Sequence, residues 1–193
     1  MAEVGIFGGS FNPPHVAHLI VAETVRDQFA LDRVLWIPNF SPPHKENGEL
    51  ATPAQRFRMT ELAVQDFDGF AISDIEIRRG GTSYTIDTIH ALQEKEPQTN
   101  FHLIIGSDSL RTFADWHRAE EIAAAVPIIV YKRPGVMSGV VDPVFANSVR
   151  FADAPLLELS GSEIRARWRK QRSIRYLVPD AVRRYIRENE LYL

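Results

Sequence analysis

The chain contains no cysteine. Disulfides and thiolate metal sites are therefore excluded, and the absence suits a reducing compartment, read here as the cytoplasm. No apolar run is long enough to cross a bilayer as a helix, so no membrane partner is expected. The first residues lack the basic stretch and apolar core of a secretory signal. An excess of one charge is missing too. Lys and Arg number 22 against 25 Asp and Glu, a net of −3, which gives no overall pull toward nucleic acid. No repeat or low-complexity tract stands out. What remains, 193 residues at 45 % hydrophobic and 24 % charged, predicts one domain over 1–193 with a helical portion from about 160 to 193.

The most informative stretch is Val4 to His18. Val4 to Phe7 is an apolar run the length of one buried parallel strand. Gly8, Gly9 and Ser10 follow, then Phe11, Asn12, Pro13, Pro14 and His15. After these, Leu19, Ile20, Ala22 and Val25 take helical spacing. Strand, glycine turn, helix is the geometry that presents free backbone N–H groups to an anion. His15 and His18, three apart, are expected on one side, adding up to two imidazolium charges. A Walker loop would need a Lys after the glycines, and a dinucleotide fingerprint would need G-x-G-x-x-G; neither fits. Zinc would need a third ligand, and none lies nearby in sequence. An ordinary strand-to-helix turn with surface histidines is the plain alternative, weakened by the added P-P-H-x-x-H.

Further along, Arg33 to Pro38 reads as a second strand. Ser41-Pro42-Pro43-His44-Lys45 is a stiff loop, either plain surface or an arm over a nucleotide. Thr52 and Pro53 start a helix with Gln55 completing a capping box. Phe70 to Ser73 reads as a third strand that Ile75-Glu76-Ile77 extends or flanks. Gly80 to Thr85 opens a helix over 86–94, with Ser83 and Thr85 as caps or anion donors. Phe101 to Ile105 is a fourth strand, ending at Gly106-Ser107-Asp108. That is the sheet edge where α/β proteins bind ligands, and Asp108 there is a cap, a ribose ligand or a partner for metal-linked water. Trp116 is either core or a stacking platform. Val126 to Tyr131 is a fifth strand and Val149 to Phe151 a sixth. Ser160 and Glu163 form a capping box, with Ser162 and Arg165 on one face of the helix. Nine Lys and Arg crowd positions 165 to 187; they are either solvated faces or, for one or two, a polyphosphate clamp. The alternation of strands and helices predicts a doubly wound, mainly parallel α/β sheet.

GGSFNPPH-x-x-H, PPHK, SYT, GSDSL, a loop Trp and S-x-S-E-I-R, in this order, resemble the bacterial nicotinate-mononucleotide adenylyltransferases. These are nucleotidyltransferases with a Rossmann-like fold. Ala17 stands where the family usually has Gly, at the helix start beside the nucleotide. The resemblance implies transfer of the adenylyl group of ATP to nicotinate mononucleotide, with Mg²⁺ carried on the ATP phosphates and not by a protein metal site. It implies that His15, His18, Lys45 and Arg165 serve the reaction. Gly8, Gly9, Ser10, Phe11, Gly106, Asp108, Ser162 and Ile164 would join His15, His18 and Arg165 in holding ATP. Ser83, Tyr84, Thr85, Trp116 and Lys45 would hold the mononucleotide. Nicotinamide mononucleotide or phosphopantetheine are alternative acceptors, and a non-catalytic dinucleotide-binding regulator is an alternative role. A homo-oligomer is compatible with the sequence.

Overall fold

The computed structural model describes residues 1–41, 50–135 and 141–193. Six strands form one parallel sheet in the order β3-β2-β1-β4-β5-β6. β1 is Ala2–Gly9, β2 Arg33–Pro38, β3 Phe70–Ile72, β4 Thr99–Gly106, β5 Ile128–Tyr131 and β6 Val149–Ala152. Chain order reverses between β1 and β4, and ligands in such sheets bind at the carboxyl ends of the two strands flanking the reversal.

The apolar runs lie in the middle of the sheet because both of its faces are covered. Val4 and Ile6 of β1, Leu103 and Ile105 of β4 and Ile128 and Val130 of β5 enter one core. There they meet Ile86, Ile89 and Leu92 of α4 (Thr85–Lys95) and Ile122 of α6 (Ala119–Ala125). The alternate residues Phe7, Ile104 and Ile129 face the other way, onto Val21, Ala22 and Val25 of α1 (Val16–Gln28). A third cluster joins α2 (Pro53–Val64) to α7 (Gly161–Arg169) and α8 (Asp180–Glu188) through Met59, Ile164, Val182 and Ile186. No described helix is long and apolar enough to cross a membrane.

Two capping boxes stand as the sequence predicts. Thr52 accepts from Gln55 N, and Ser160 accepts from Glu163 N. Of the two readings of Ile75-Glu76-Ile77, the flanking one holds, and the segment does not continue β3. It lies in α3 (Ile75–Arg79), where Arg78 N donates to Asp74 O at 2.8 Å. The helical turn buries Glu76 against Thr88. Fifth-strand pairing begins at Ile128, after Pro127, whose carbonyl accepts from Leu103 N at 2.9 Å.

Candidate active site

β1 ends in Gly8 and Gly9, and the chain then doubles back through Phe11, which has a left-handed φ of 43°. The Phe11 ring is buried edge-on to Phe7 and His18. This anchors the turn and delivers His15 as the residue that caps α1. The imidazoles of His15 and His18 stack with centroids 3.6 Å apart. His18 Nδ1 accepts the backbone N–H of His15 at 3.2 Å. In its neutral form that ring therefore carries its proton on Nε2, and it lines the cleft. His15 is only 3 % exposed, and its Nδ1 is buried with no hydrogen bond among the described residues. Burial, and secondarily the charge of Arg133, push its pKa down to about 4. With a pKa that far down, His15 is neutral at pH 7 in the ligand-free protein. Ala17 is buried; it does not line the cleft but borders a small adjoining pocket together with His15, His18 and Arg133.

The start of α7 closes on this turn. A Cβ added to Gly161 would lie 2.8 Å from Asn12 O, so the contact depends on glycine. Arg165, buried, donates to the same carbonyl from Nη1 at 2.9 Å and to Ser162 Oγ from Nη2 at 3.3 Å. Asn12 Oδ1 accepts from Ala51 N at 3.0 Å and from the Tyr192 hydroxyl at 2.7 Å. Burial raises the Tyr192 pKa above its ordinary value, so this hydroxyl remains a donor. Beneath, the fully buried Arg56 ties the strand ends together. It donates to Ser10 O at 3.0 Å, Phe40 O at 2.9 Å and Ala51 O at 3.1 Å.

The opposite wall is the end of β4. Gly106 precedes α5 (Ser107–Arg111), and Asp108 on its first turn pairs with Arg133 at 2.8 Å. Arg133 N donates to Ser107 Oγ at 3.0 Å. Together these elements enclose a cleft of about 510 Å³ lined by Gly8, Gly9, Ser10, Phe11, His15, His18, Gly106, Asp108, Trp116, Arg133, Ser162 and Arg165. Trp116 also borders a second cavity, of about 480 Å³, with Ser83, Tyr84, Thr85 and His117. The Tyr84 and His117 rings lie 4.4 Å apart there.

The structure thus brings most of the expected residues to one sheet edge. Ile164 is an exception: its side chain lies in the C-terminal apolar cluster, away from the cleft, and its N–H is used by Ser160 O at 3.1 Å. Lys45 lies outside the described residues. Of the C-terminal cations, Arg165 alone lines the cleft among the described residues, whereas Arg183 and Arg184 pair with Asp180 on the surface. Sequence reasoning missed Arg133. Its position just after β5, at the same strand edge, was the available signal. No cluster of three or more possible metal ligands occurs among the described residues.

Residues 6–167 match the family model described as cytidylyltransferase-like. That range runs from β1 into α7 and includes every cleft residue named above, so the class is a nucleotidyltransferase on a parallel α/β sheet. A Salinibacter ruber protein named "Probable nicotinate-nucleotide adenylyltransferase" is 60 % identical over 98 % of this chain and 97 % of its own. A Bacillus pumilus protein of the same name is 38 % identical over 100 % and 99 %. The chain belongs to the nicotinate-nucleotide adenylyltransferase family. Among solved structures, Plasmodium falciparum nicotinic acid mononucleotide adenylyltransferase complexed with NaAD shares the fold. Its TM-score is 0.82 at 19 % identity, covering 100 % of this chain and 98 % of that one.

Proposed function

We propose that the protein transfers the adenylyl group of ATP to nicotinate mononucleotide in the cytoplasm. The products are nicotinate adenine dinucleotide and pyrophosphate, as a step of NAD biosynthesis. The observation that carries this is the meeting of the His15–His18 stack, Arg165 and Arg133 in one cleft that continues past Trp116 into a second cavity. Among the described residues, the Lys and Arg side chains that line these two cavities are Arg133 and Arg165, both in the cleft.

The chemistry needs no reactive side chain. The second pKa of a phosphate monoester is about 6, so the nucleophile is already ionised. One of its oxygens bonds to the α-phosphorus of ATP as the bond to the bridging oxygen breaks, and pyrophosphate leaves with that electron pair. Catalysis then consists of alignment and charge neutralisation. In this reading His18 Nε2–H, Arg165 and the N–H groups from Gly8 to Ser10 hold the ATP phosphates. His15 packs under His18 and caps the helix, and it gains its proton only when phosphate charge arrives. Ser162 orients Arg165, and Lys45 reaches the phosphates from its loop. Asp108 and Gly106 lie beside the ribose, with Arg133 freed toward phosphate. Trp116 stacks on the pyridine ring, and the N-terminus of α4 at Ser83, Tyr84 and Thr85 takes the carboxylate. A divalent metal, Mg²⁺ on this reading, would neutralise the leaving pyrophosphate. A single carboxylate, Asp108, lines the cleft among the described residues, which suits Mg²⁺ held chiefly by phosphates and water.

A pyrophosphate-release assay with ATP tests the assignment. Nicotinate mononucleotide is expected to react at least about tenfold better, in kcat/KM, than nicotinamide mononucleotide or phosphopantetheine, a difference of roughly 1.4 kcal/mol. Equal rates defeat the choice of acceptor, and tight dinucleotide binding without pyrophosphate release defeats the enzyme reading.

A further inference from the structure

α3 turns Glu76 into the protein, where it is 7 % exposed. Its Oε1 accepts from the Thr88 hydroxyl at 2.8 Å, and that hydroxyl accepts from Arg79 Nη2 at 3.0 Å. Its Oε2 is buried and makes no well-formed hydrogen bond among the described residues, although the Ser83 hydroxyl lies near enough to act on the carboxyl. Leaving a buried polar oxygen unmatched is costly, more so when it is charged. Glu76 borders a cavity of about 140 Å³ that adjoins both the cleft and the second cavity. The other walls include Gly8, Gly9, Ser83, Thr85 and Trp116. An apolar cavity of about 150 Å³ admits benzene, so this one has room for a single six-membered ring.

We propose that Glu76 is a specificity-determining residue of the acceptor site. When an acid-substituted pyridine binds, the Glu76 carboxylate takes one proton from solvent, and the new O–H donates from Oε2 to the substrate carboxylate. This rests on the reading that the pyridine ring lies against Trp116. A ring bearing a carboxamide brings its own N–H donors, which an ionised Glu76 accepts with no proton uptake. The proton therefore accompanies one substrate and not the other.

The surroundings suit a group that changes charge. Burial raises the pKa of Glu76, while the hydroxyls of Ser83 and Thr88 and the charges of Arg79 and Arg56 oppose it. Arg79 lies on the same helix and Arg56 on α2; α4 contributes Thr88, and β2 contributes the apolar Ile37 to the cavity wall. A second carboxylate entering this space works against the ionised form and favours proton uptake. The N-terminal end of α4 favours the substrate's negative charge over that of Glu76.

Calorimetric titration in two buffers of unequal ionisation enthalpy tests this, with nicotinate and nicotinamide mononucleotides, on the wild type and Glu76→Gln. In the wild type the acid should take up as much as one proton more than the amide, the difference growing as pH rises. The acid-over-amide preference in KM should fall by up to tenfold per pH unit above the Glu76 pKa. Both effects should vanish in Glu76→Gln. The phosphate titrates in both substrates and cancels. Equal uptake for the two substrates in the wild type overturns the inference whether or not the variant folds, and so does a difference that survives in Glu76→Gln. Failure of nicotinate mononucleotide to bind removes the substrate assignment itself, and this inference with it.

Discussion

His18 supplies the acceptor for the backbone N–H of His15, at 3.2 Å, while the two rings stack at 3.6 Å. The ring proposed to touch phosphate is thus also the ring that caps α1. His18→Ala should cut pyrophosphate release by about 10² to 10³, the usual cost of one oxyanion donor. It should also lower unfolding free energy by about 1 kcal/mol through the lost cap. Denaturant melts alongside the activity assay separate the two. Near-normal turnover removes His18 from the mechanism.

His15 carries a depressed folded-state pKa of about 4 against an ordinary value of 6.5. Above pH 6.5 both folded and unfolded states hold it neutral, and it costs nothing. As pH falls through 6.5 toward 4 the unfolded chain takes the proton and the native state does not, so stability drops by up to about 3 kcal/mol. Urea titrations at several pH values should show this loss, and His15→Gln should lack it. Because Arg133 contributes to the shift, NMR titration of Arg133→Met should find His15 protonating at higher pH than in the wild type.

Trp116 borders the cleft, the ring-sized cavity and the outer cavity. Stacking of a base on an aromatic ring is worth about 1–3 kcal/mol. Trp116→Ala should therefore raise KM for the mononucleotide about 5- to 150-fold and disturb that for ATP much less. The reverse order would assign Trp116 to the adenine side.

How much could be read from the chain follows how local each feature is. The turn from Gly8 to His18 and the Ser160–Glu163 box are written within a few residues, and both fold as read. The apolar runs mark the strands because the sheet is covered on both faces. Ile75-Glu76-Ile77 leaves open whether it extends or flanks the third strand, because alternation over three residues fits a strand as well as one helical turn. Ile164 sits one residue from Arg165, but a helix rotates neighbours by about 100° and sends its side chain to the other face. Arg133 and Glu76 gain their place from partners far away in sequence, Asp108 and Thr88, and no local spacing reports such pairs. α6, with its run of alanines, carries no strong periodic signal.

Gly161→Ala probes the seam between α7 and the turn that carries Asn12 and His15. A methyl group there meets the Asn12 carbonyl, which is backbone and cannot swing aside. Alanine favours the helix by up to about 1 kcal/mol over glycine, so overall stability should change little. Pyrophosphate release should fall at least about tenfold, roughly 1.4 kcal/mol, as Arg165 loses its hold on Asn12 O. Full activity would show that the seam tolerates slack.

The hydroxyl of Tyr192 on Asn12 Oδ1 spans 180 residues of sequence. The bend after the first strand is thus held from a point far along the chain, so loosening the segment around Tyr192 should reach the cleft without altering any side chain that lines it.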